Sequence, residues 1–371
     1  MKYYVISGEA SGDLHGSNLI KALKKLTPDL HIRAWGGDKM QASGAEVVKH
    51  YKDLAFMGFL EVALNIRTIL GNLRFCKKDI LDFQPDALIL IDYPGFNMRI
   101  ARWAKQRGIP VHYYIMPQVW AWKESRVKDL ARDTDFRYAI LPFELDFFEK
   151  KHNLNVDFVG HPLLDAIQSK QDPDSINIRK QIEIANDKPI IALLPGSRKQ
   201  EIKKLLPVMQ SLQSRFPSHV LVVAATPHHP IDFYKKLAPN LPIVVGQTYA
   251  LLSVAQAALV TSGTATLETA LFKIPQVVCY KTSWLSFAIA KRVVKLAYIS
   301  LVNLIMDKKV VAEQIQSECT PYDLETALSH ILSDEGRSQI LVDYETLHQK
   351  LGGGGASQTT AELIYKRTRE N

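Results

Sequence analysis

The stretch Ser7-Gly8-Glu9-Ala10-Ser11-Gly12-Asp13 decides the fold. It follows the apolar run Tyr3-Tyr4-Val5-Ile6 and precedes a helical pattern carrying Leu14, Leu19, Ile20 and Leu23. That order reads as a strand, a glycine-punctuated turn and a helix N-terminus. At such a junction free backbone N–H groups and the positive end of the helix dipole face a ligand. Glu9 and Asp13 lie in the same turn and would repel a bare phosphate. A plain βα turn with Asp13 as a helix cap is the competing reading.

Working outward, short apolar runs alternate with longer helical patterns. Strands are expected at Tyr3–Ile6, Ile32–Trp35, Ala87–Ile91, Val111–Ile115, Tyr138–Leu141 and Val156–Val159. A second series comprises Ile190–Leu194, Val220–Ala224, Ile243–Val245, Ala257–Val260 and Gln276–Cys279. Helical patterns fall between most of them, at 59–82, 97–107 and 123–132 among others. Strands alternating with helices imply parallel sheets covered on both faces. Two series in 371 residues imply an α/β chain of two doubly wound domains. We place these at 1–165 and 166–345, with a helical tail at 346–371 in which the glycine run Gly352–Gly355 precedes the last helix.

Composition narrows the function. With 47% hydrophobic and 23% charged residues the chain is globular, and its formal charge is +8. Excess Lys and Arg suits nucleic acid, an anionic membrane or phosphorylated substrates. No recognised nucleic-acid reader module occurs, so nucleic acid is not expected as a partner. The three cysteines, Cys76, Cys279 and Cys319, have no paired spacing, which argues against a zinc site or disulfide framework and for a reducing, cytoplasmic setting. No apolar run reaches the roughly 20 residues of a membrane span, and the first strand leaves no room for a signal peptide.

Two turns in the second half suit an anion. Leu194-Pro195-Gly196-Ser197-Arg198 follows an apolar strand and opens a helix; Arg198 there can neutralise charge on a leaving phosphate. Ser262-Gly263-Thr264-Ala265-Thr266 again joins strand to helix, with Glu268 one turn further on to accept hydrogen bonds from ribose. Neither turn matches a P-loop. In the first half, Asp92-Tyr93-Pro94-Gly95-Phe96-Asn97 ends a very apolar strand, Ala87–Ile91. Asp92 is placed where open parallel sheets bind ligands, and partial burial would raise its pKa toward general-base territory. A structural Asp closing a turn is the alternative. Pro117-Gln118-Val119-Trp120-Ala121-Trp122 follows the next strand; its tryptophans suit a sugar or lipid face, or a core.

Two basic amphipathic stretches suit an anionic bilayer surface or a protein core. In 59–78, Phe59, Val62, Ile66, Ile69, Leu70 and Leu73 run beside Arg67, Arg74, Lys77 and Lys78. In 284–302, Trp284, Leu285, Phe287, Ile289, Val293, Val294, Leu296, Ile299 and Leu301 are interrupted by Lys291, Arg292 and Lys295.

Taken in order, these motifs, with Met57-Gly58-Phe59-Leu60-Glu61-Val62 and Val159-Gly160-His161-Pro162-Leu163, make a chain that resembles the lipid-A-disaccharide synthases, glycosyltransferases of the GT-B fold. The resemblance implies two Rossmann-like domains facing across a cleft. It implies transfer of sugar from UDP-2,3-diacylglucosamine to 2,3-diacylglucosamine 1-phosphate (lipid X), with inversion and without a metal or other cofactor. Asp92 is then the expected base, with Glu9 and Asp13 as fallbacks, because the position where many relatives carry a second Asp is Gly95. Donor contacts are expected from Gly196, Ser197, Arg198, Ser262, Gly263, Thr264 and Glu268, with Asn303 and Gln314 by family analogy. Gly8, Ser11, Gly12, Asn97, Gln118 and Trp120 fall on the acceptor side. Ile66, Ile69, Leu70 and Leu73 would face the inner membrane, making the protein peripheral there. It would be a monomer or a homodimer exchanging C-terminal segments. A UDP-N-acetylglucosamine 2-epimerase, another GT-B transferase and a non-catalytic nucleotide-sugar-binding membrane module are the alternatives.

Overall fold

A computed structural model describes residues 1–54, 66–168, 175–182, 188–283, 287 and 296–370. The Met57–Val62 motif, Phe59 and Val62 lie outside the described residues, as do Trp284, Leu285, Ile289, Lys291, Arg292, Val293, Val294 and Lys295. The chain divides into two compact units, Met1–Ser169 with Leu351–Asn371, and Lys170–Lys350.

The first unit holds a parallel seven-stranded sheet in the order β3-β2-β1-β4-β5-β6-β7. Its strands are β1 (Lys2–Ile6), β2 (His31–Gly36), β3 (Glu46–His50), β4 (Ala87–Ile91), β5 (Val111–Tyr114), β6 (Phe136–Ala139) and β7 (Asp157–Phe158). The run Ala87-Leu88-Ile89-Leu90-Ile91 is buried throughout, as a strand covered on both faces must be. Connections leave β1 toward β2 on one side and β4 toward β5 on the other. The carboxyl ends of β1 and β4, which pair in register from Tyr3↔Ala87 to Ile6↔Leu90, therefore flank a topological switch point.

The second unit holds a parallel six-stranded sheet in the order β10-β9-β8-β11-β12-β13. These strands are β8 (Ile190–Leu194), β9 (Val220–Ala225), β10 (Ile243–Val245), β11 (Ala255–Thr261), β12 (Gln276–Tyr280) and β13 (Ala312–Ile315). Its switch point lies between β8 and β11, which pair from Ala255↔Ile190 to Val260↔Leu194. Both anion-friendly turns thus leave adjacent strands.

The sequence does not reveal β3 and β13, and the reason is shared. Each is an edge strand whose residues are half-buried or exposed, so neither shows the apolar run that marks an interior strand. The tail helix Ala356–Glu370 packs on the Ala10–Leu26 helix of its own chain, contributing Ala361 and Ile364 to the core around Leu19, Ile20 and Leu23. Gly352, Gly353, Gly354 and Gly355 all have φ between 72° and 103°, a left-handed run only glycine sustains without strain. Beyond it Asp165 caps the tail helix, accepting the N–H groups of Gly355 and Ser357 at 2.7 Å each. Arg367 closes a two-pronged pair on Asp157 at 2.7 and 2.9 Å.

Within the helix Ile66–Phe83, periodicity splits the apolar residues. Leu73, Cys76 and Ile80 join the core, whereas Leu70 and Leu81 stay about half exposed. Leu73, expected at a membrane surface, is a core residue, because the i, i+3, i+7 spacing of this trio aligns it with the inward face. Ile69 is half-buried and Leu70 is exposed.

Candidate active site

In the first unit the site is built where β1 and β4 end. After Ile91 the backbone turns through two consecutive left-handed residues, Asp92 (φ 46°) and Tyr93 (φ 50°). Left-handed geometry is unfavourable for side chains other than glycine, and such strain persists where surrounding contacts over-determine it. Here the Asp92 carbonyl accepts the Asn97 side-chain N–H at 2.7 Å and the Tyr113 hydroxyl at 2.8 Å. Asn97 is fully buried and its Nδ2 also lies 3.4 Å from the Ile6 carbonyl and 3.3 Å from that of Ile91. One amide thereby ties the ends of β1 and β4 to the Asp92 turn.

The β1 turn is fitted against this one. A Cβ on Gly8 would stand 2.4 Å from the Tyr93 ring, and one on Gly12 would stand 2.7 Å from the Ser7 Cβ. Both positions admit only hydrogen. Glu9, the residue before the Ala10–Leu26 helix, is exposed, as is Ser11. Burial, reinforced by the negative charge of Glu9, pushes the Asp92 carboxyl up to about 6. An acid shifted this far holds a proton-accepting form near neutral pH with more basicity than a free aspartate.

Asp13 has a different occupation. Its carboxylate is buried and accepts the backbone N–H groups of Gly37 (2.8 Å), Lys39 (3.1 Å) and Met40 (3.0 Å). It therefore caps the start of the Asp38–Ala42 helix, not its own, and is not available as a fallback base. Sequence reading misses this because the capped N–H groups lie more than twenty residues away.

On β5's side, Gln118 is exposed, while Trp120 donates its indole N–H to Glu144 Oε1 at 3.1 Å and packs edge-on against Phe143 at 4.8 Å. Glu144 in turn accepts the Ile140 and Leu141 N–H groups at 3.0 Å each. Burial pushes its carboxyl up to about 7. Trp120 is thus an anchor of the loop.

In the second unit β8 ends in Pro195-Gly196, and Gly196 has φ 104°. A Cβ there would meet Glu201 Oε2 at 2.7 Å and Thr261 Cγ2 at 3.1 Å, so the end of β11 and the Lys199–Gln210 helix close on this glycine. Arg198 precedes the Lys199–Gln210 helix with its side chain 72% exposed and 3.3 Å from Glu201. Such a surface pair holds weakly and leaves the guanidinium open to a stronger anion. Ser197 is exposed, and His229 Nε2 lies 3.0 Å from its carbonyl oxygen.

Gly263 (φ 148°) and Thr264 are exposed at the start of the Thr264–Leu271 helix, where helix geometry leaves the first N–H groups without intrahelical partners. No atom lies within 4 Å of a Cβ built on Gly263, so a ligand can approach that backbone. The Ser262 hydroxyl donates to the Ile299 carbonyl at 2.8 Å. Glu268 accepts the Tyr249 hydroxyl at 2.7 Å.

Asn303 also departs from expectation. It is fully buried, accepts the N–H groups of Val310 and Val311 through Oδ1, and donates through Nδ2 to Val311 O and Glu313 Oε1, all at 2.8–2.9 Å. An amide so saturated has no capacity left for a ribose; it folds the segment beside Ser262. Glu313, which the sequence reading passes over, completes this by accepting the Ile299 and Ser300 N–H groups at 3.0 and 2.9 Å. Gln314 follows on β13 and so projects to the opposite strand face, away from that network. Among the described residues no group of three or more His, Cys, Asp and Glu gathers as a metal site would require.

The chain matches the family model described as Lipid-A-disaccharide synthetase over residues 3–366. It is 38% identical over 369 residues to the Lipid-A-disaccharide synthase of Syntrophus aciditrophicus (strain SB), covering 97% of this chain and 96% of that protein. It is 35% identical over 367 residues to that of Coxiella burnetii (strain CbuG_Q212), covering 97% of each. Solved structures share the fold at low identity. The UDP-GlcNAc 2-epimerase of Neisseria meningitidis bound to UDP-GlcNAc superposes with a TM-score of 0.68 at 15% identity over the whole of both chains. The calicheamicin glycosyltransferase CalG4 gives 0.62 at 15% identity, covering 100% of this chain and 98% of that one. Two parallel α/β units with a helical tail make this a GT-B fold, and the chain belongs to the lipid-A-disaccharide synthase family.

Proposed function

We propose that the chain condenses UDP-2,3-diacylglucosamine with 2,3-diacylglucosamine 1-phosphate, giving the β-1,6-linked disaccharide 1-phosphate and UDP. The observation that carries the mechanism is the half-buried Asp92 carboxyl, raised to about 6, at the switch point of one unit. Asp92 takes the proton from the acceptor's 6-hydroxyl as that oxygen attacks the anomeric carbon. The bond from the anomeric carbon to the diphosphate breaks on the opposite face, which inverts the centre. Negative charge then grows on the departing UDP. Arg198 and the helix start at Thr264 meet it, supplying the positive field that a divalent ion supplies in other transferases. Glu268, held by Tyr249, receives the ribose hydroxyls. Glu9 keeps Asp92 basic and lines the acceptor side with Gly8, Ser11 and Gln118.

Both substrates carry acyl chains, and we assign their delivery to a bilayer surface. No described helix is long and apolar enough to cross a membrane. The Ile66–Phe83 helix instead presents Leu70 and Leu81 with Arg74 and Lys77 at i, i+4, i+7 and i+11 spacing, one basic and apolar face. The test is incubation of the purified chain with both acylated substrates in detergent micelles. Equimolar disaccharide and UDP is the expected result; conversion of UDP-N-acetylglucosamine to its 2-epimer with no disaccharide would replace this reading with the epimerase one.

A further inference from the structure

Beyond β5, the segment from Val119 to Val127 is pinned at both ends and open in the middle. Val119 and Val127 are buried in the core, and Trp120 is held by Glu144 and Phe143. Between these anchors Trp122 stands 45% exposed. The Lys123 ammonium lies 4.8 Å from its ring centre and the Arg126 guanidinium 5.3 Å. Lys123 is left-handed at φ 56°, a conformation glycine would take without strain.

The one acid between them is drawn off elsewhere. Glu124 is bound by Lys151 at 2.7 Å and lies 2.9 Å from His152. Among the described residues neither Lys123 nor Arg126 has a carboxylate partner. Two unpaired cations around an exposed aromatic face form a receptor for an anion attached to an apolar or sugar ring.

Its position relates it to Asp92. β5 lies beside β4, and adjacent strands are spaced about 4.8 Å. Tyr113 on β5 donates its hydroxyl to the Asp92 carbonyl at 2.8 Å, and the same phenol feels both the Asp92 carboxylate and the Arg126 guanidinium. The cationic loop therefore follows the strand next to the one that ends at the proposed base.

We propose that Trp122, Lys123 and Arg126 form the subsite for the acceptor's phosphomonoester, the cations binding its oxygens while the indole packs on the sugar. This rests on the reading that the acceptor is a sugar 1-phosphate. It separates the two ends of one ring: hydroxyl toward Asp92, phosphate toward the loop. The subsite makes the enzyme select a phosphorylated acceptor over its dephosphorylated counterpart.

The test compares wild type with a Lys123→Gln/Arg126→Gln double variant, both changes being at solvent-accessible positions. Expected is an acceptor KM raised roughly 10–100-fold, with donor KM and kcat within about twofold and the preference for phosphorylated acceptor lost. Glucosamine 1-phosphate titrated calorimetrically against both proteins reports on the subsite whether or not transfer occurs; at least tenfold weaker binding to the variant is expected. Equal acceptor KM and equal glucosamine 1-phosphate affinity overturn the subsite. Loss of sedimentation with phosphatidylglycerol vesicles at unchanged acceptor KM also overturns it, assigning the cations to the bilayer. Absence of transfer by the wild-type chain would instead count against the reaction, not the subsite.

Discussion

Asp92, the proposed base of the first unit, is half-buried, and its raised pKa gives it a thermodynamic signature. Its folded pKa of about 6 lies above the ordinary aspartate value, so ionisation is harder in the folded chain than in the unfolded one. The stabilisation from holding the proton is complete below the unfolded value and is lost as pH rises through about 6. Above that, the folded protein carries a penalty of at most about 3 kcal/mol. Asp92→Asn, equal in size and uncharged, should therefore raise stability by roughly 1–3 kcal/mol at pH 8 and leave it nearly unchanged at pH 4. Urea unfolding at the two pH values checks this; a gap independent of pH would mean the carboxylate is not penalised by its surroundings. Its place at the carboxyl end of a strand was legible in the sequence because it follows a wholly apolar run. Asp13 and Asn303 were not legible in their real roles. Both are polar side chains that accept backbone N–H groups brought close only by the fold, and no local pattern records that.

At the scale of elements, the four turns that matter leave β1, β4, β8 and β11, the two pairs of strands that flank the switch points. Glycine punctuation after an apolar run announced each of them. What the sequence withheld was the fitting between turns. Gly8 is required by a ring 85 residues away, and Gly196 by Glu201 and Thr261. Gly8→Ala should thus push the Tyr93 ring aside and with it the Asp92 turn. Overpacking of this kind costs roughly 1–3 kcal/mol. We expect transfer activity to fall at least tenfold while the variant still folds, as read by near-ultraviolet dichroism and steady-state rates. Wild-type turnover would show that Tyr93 yields without disturbing Asp92. The edge strands β3 and β13 escaped notice for the opposite reason, since half-solvated edges carry polar residues. Yet β13 supplies Glu313, which shapes the segment beside the Ser262 turn.

For the whole molecule, a net charge of +8, a family match from residue 3 to 366 and an exposed basic and apolar helix face converge on a lipid substrate. Replacing Ile69, Leu70 and Leu81 with serine should lower binding to anionic vesicles by roughly tenfold or more, since each removes apolar area that the bilayer would bury. Leu73→Ser should instead destabilise the fold, because that side chain belongs to the core. Vesicle sedimentation separates the two, and unchanged sedimentation of the triple variant would remove this helix from the membrane account. The tail returns to the first unit through Asp165 and Arg367, a long-range closure that composition could suggest but not locate. The account as a whole turns on Asp92 as the base. Its most direct test is the rate of disaccharide formation by wild type and Asp92→Asn across pH 5–9. The account predicts a wild-type kcat/KM that rises to a plateau through about pH 6 and a variant slower by roughly 10²–10⁴-fold with no such limb. Near-wild-type turnover by the variant would contradict it.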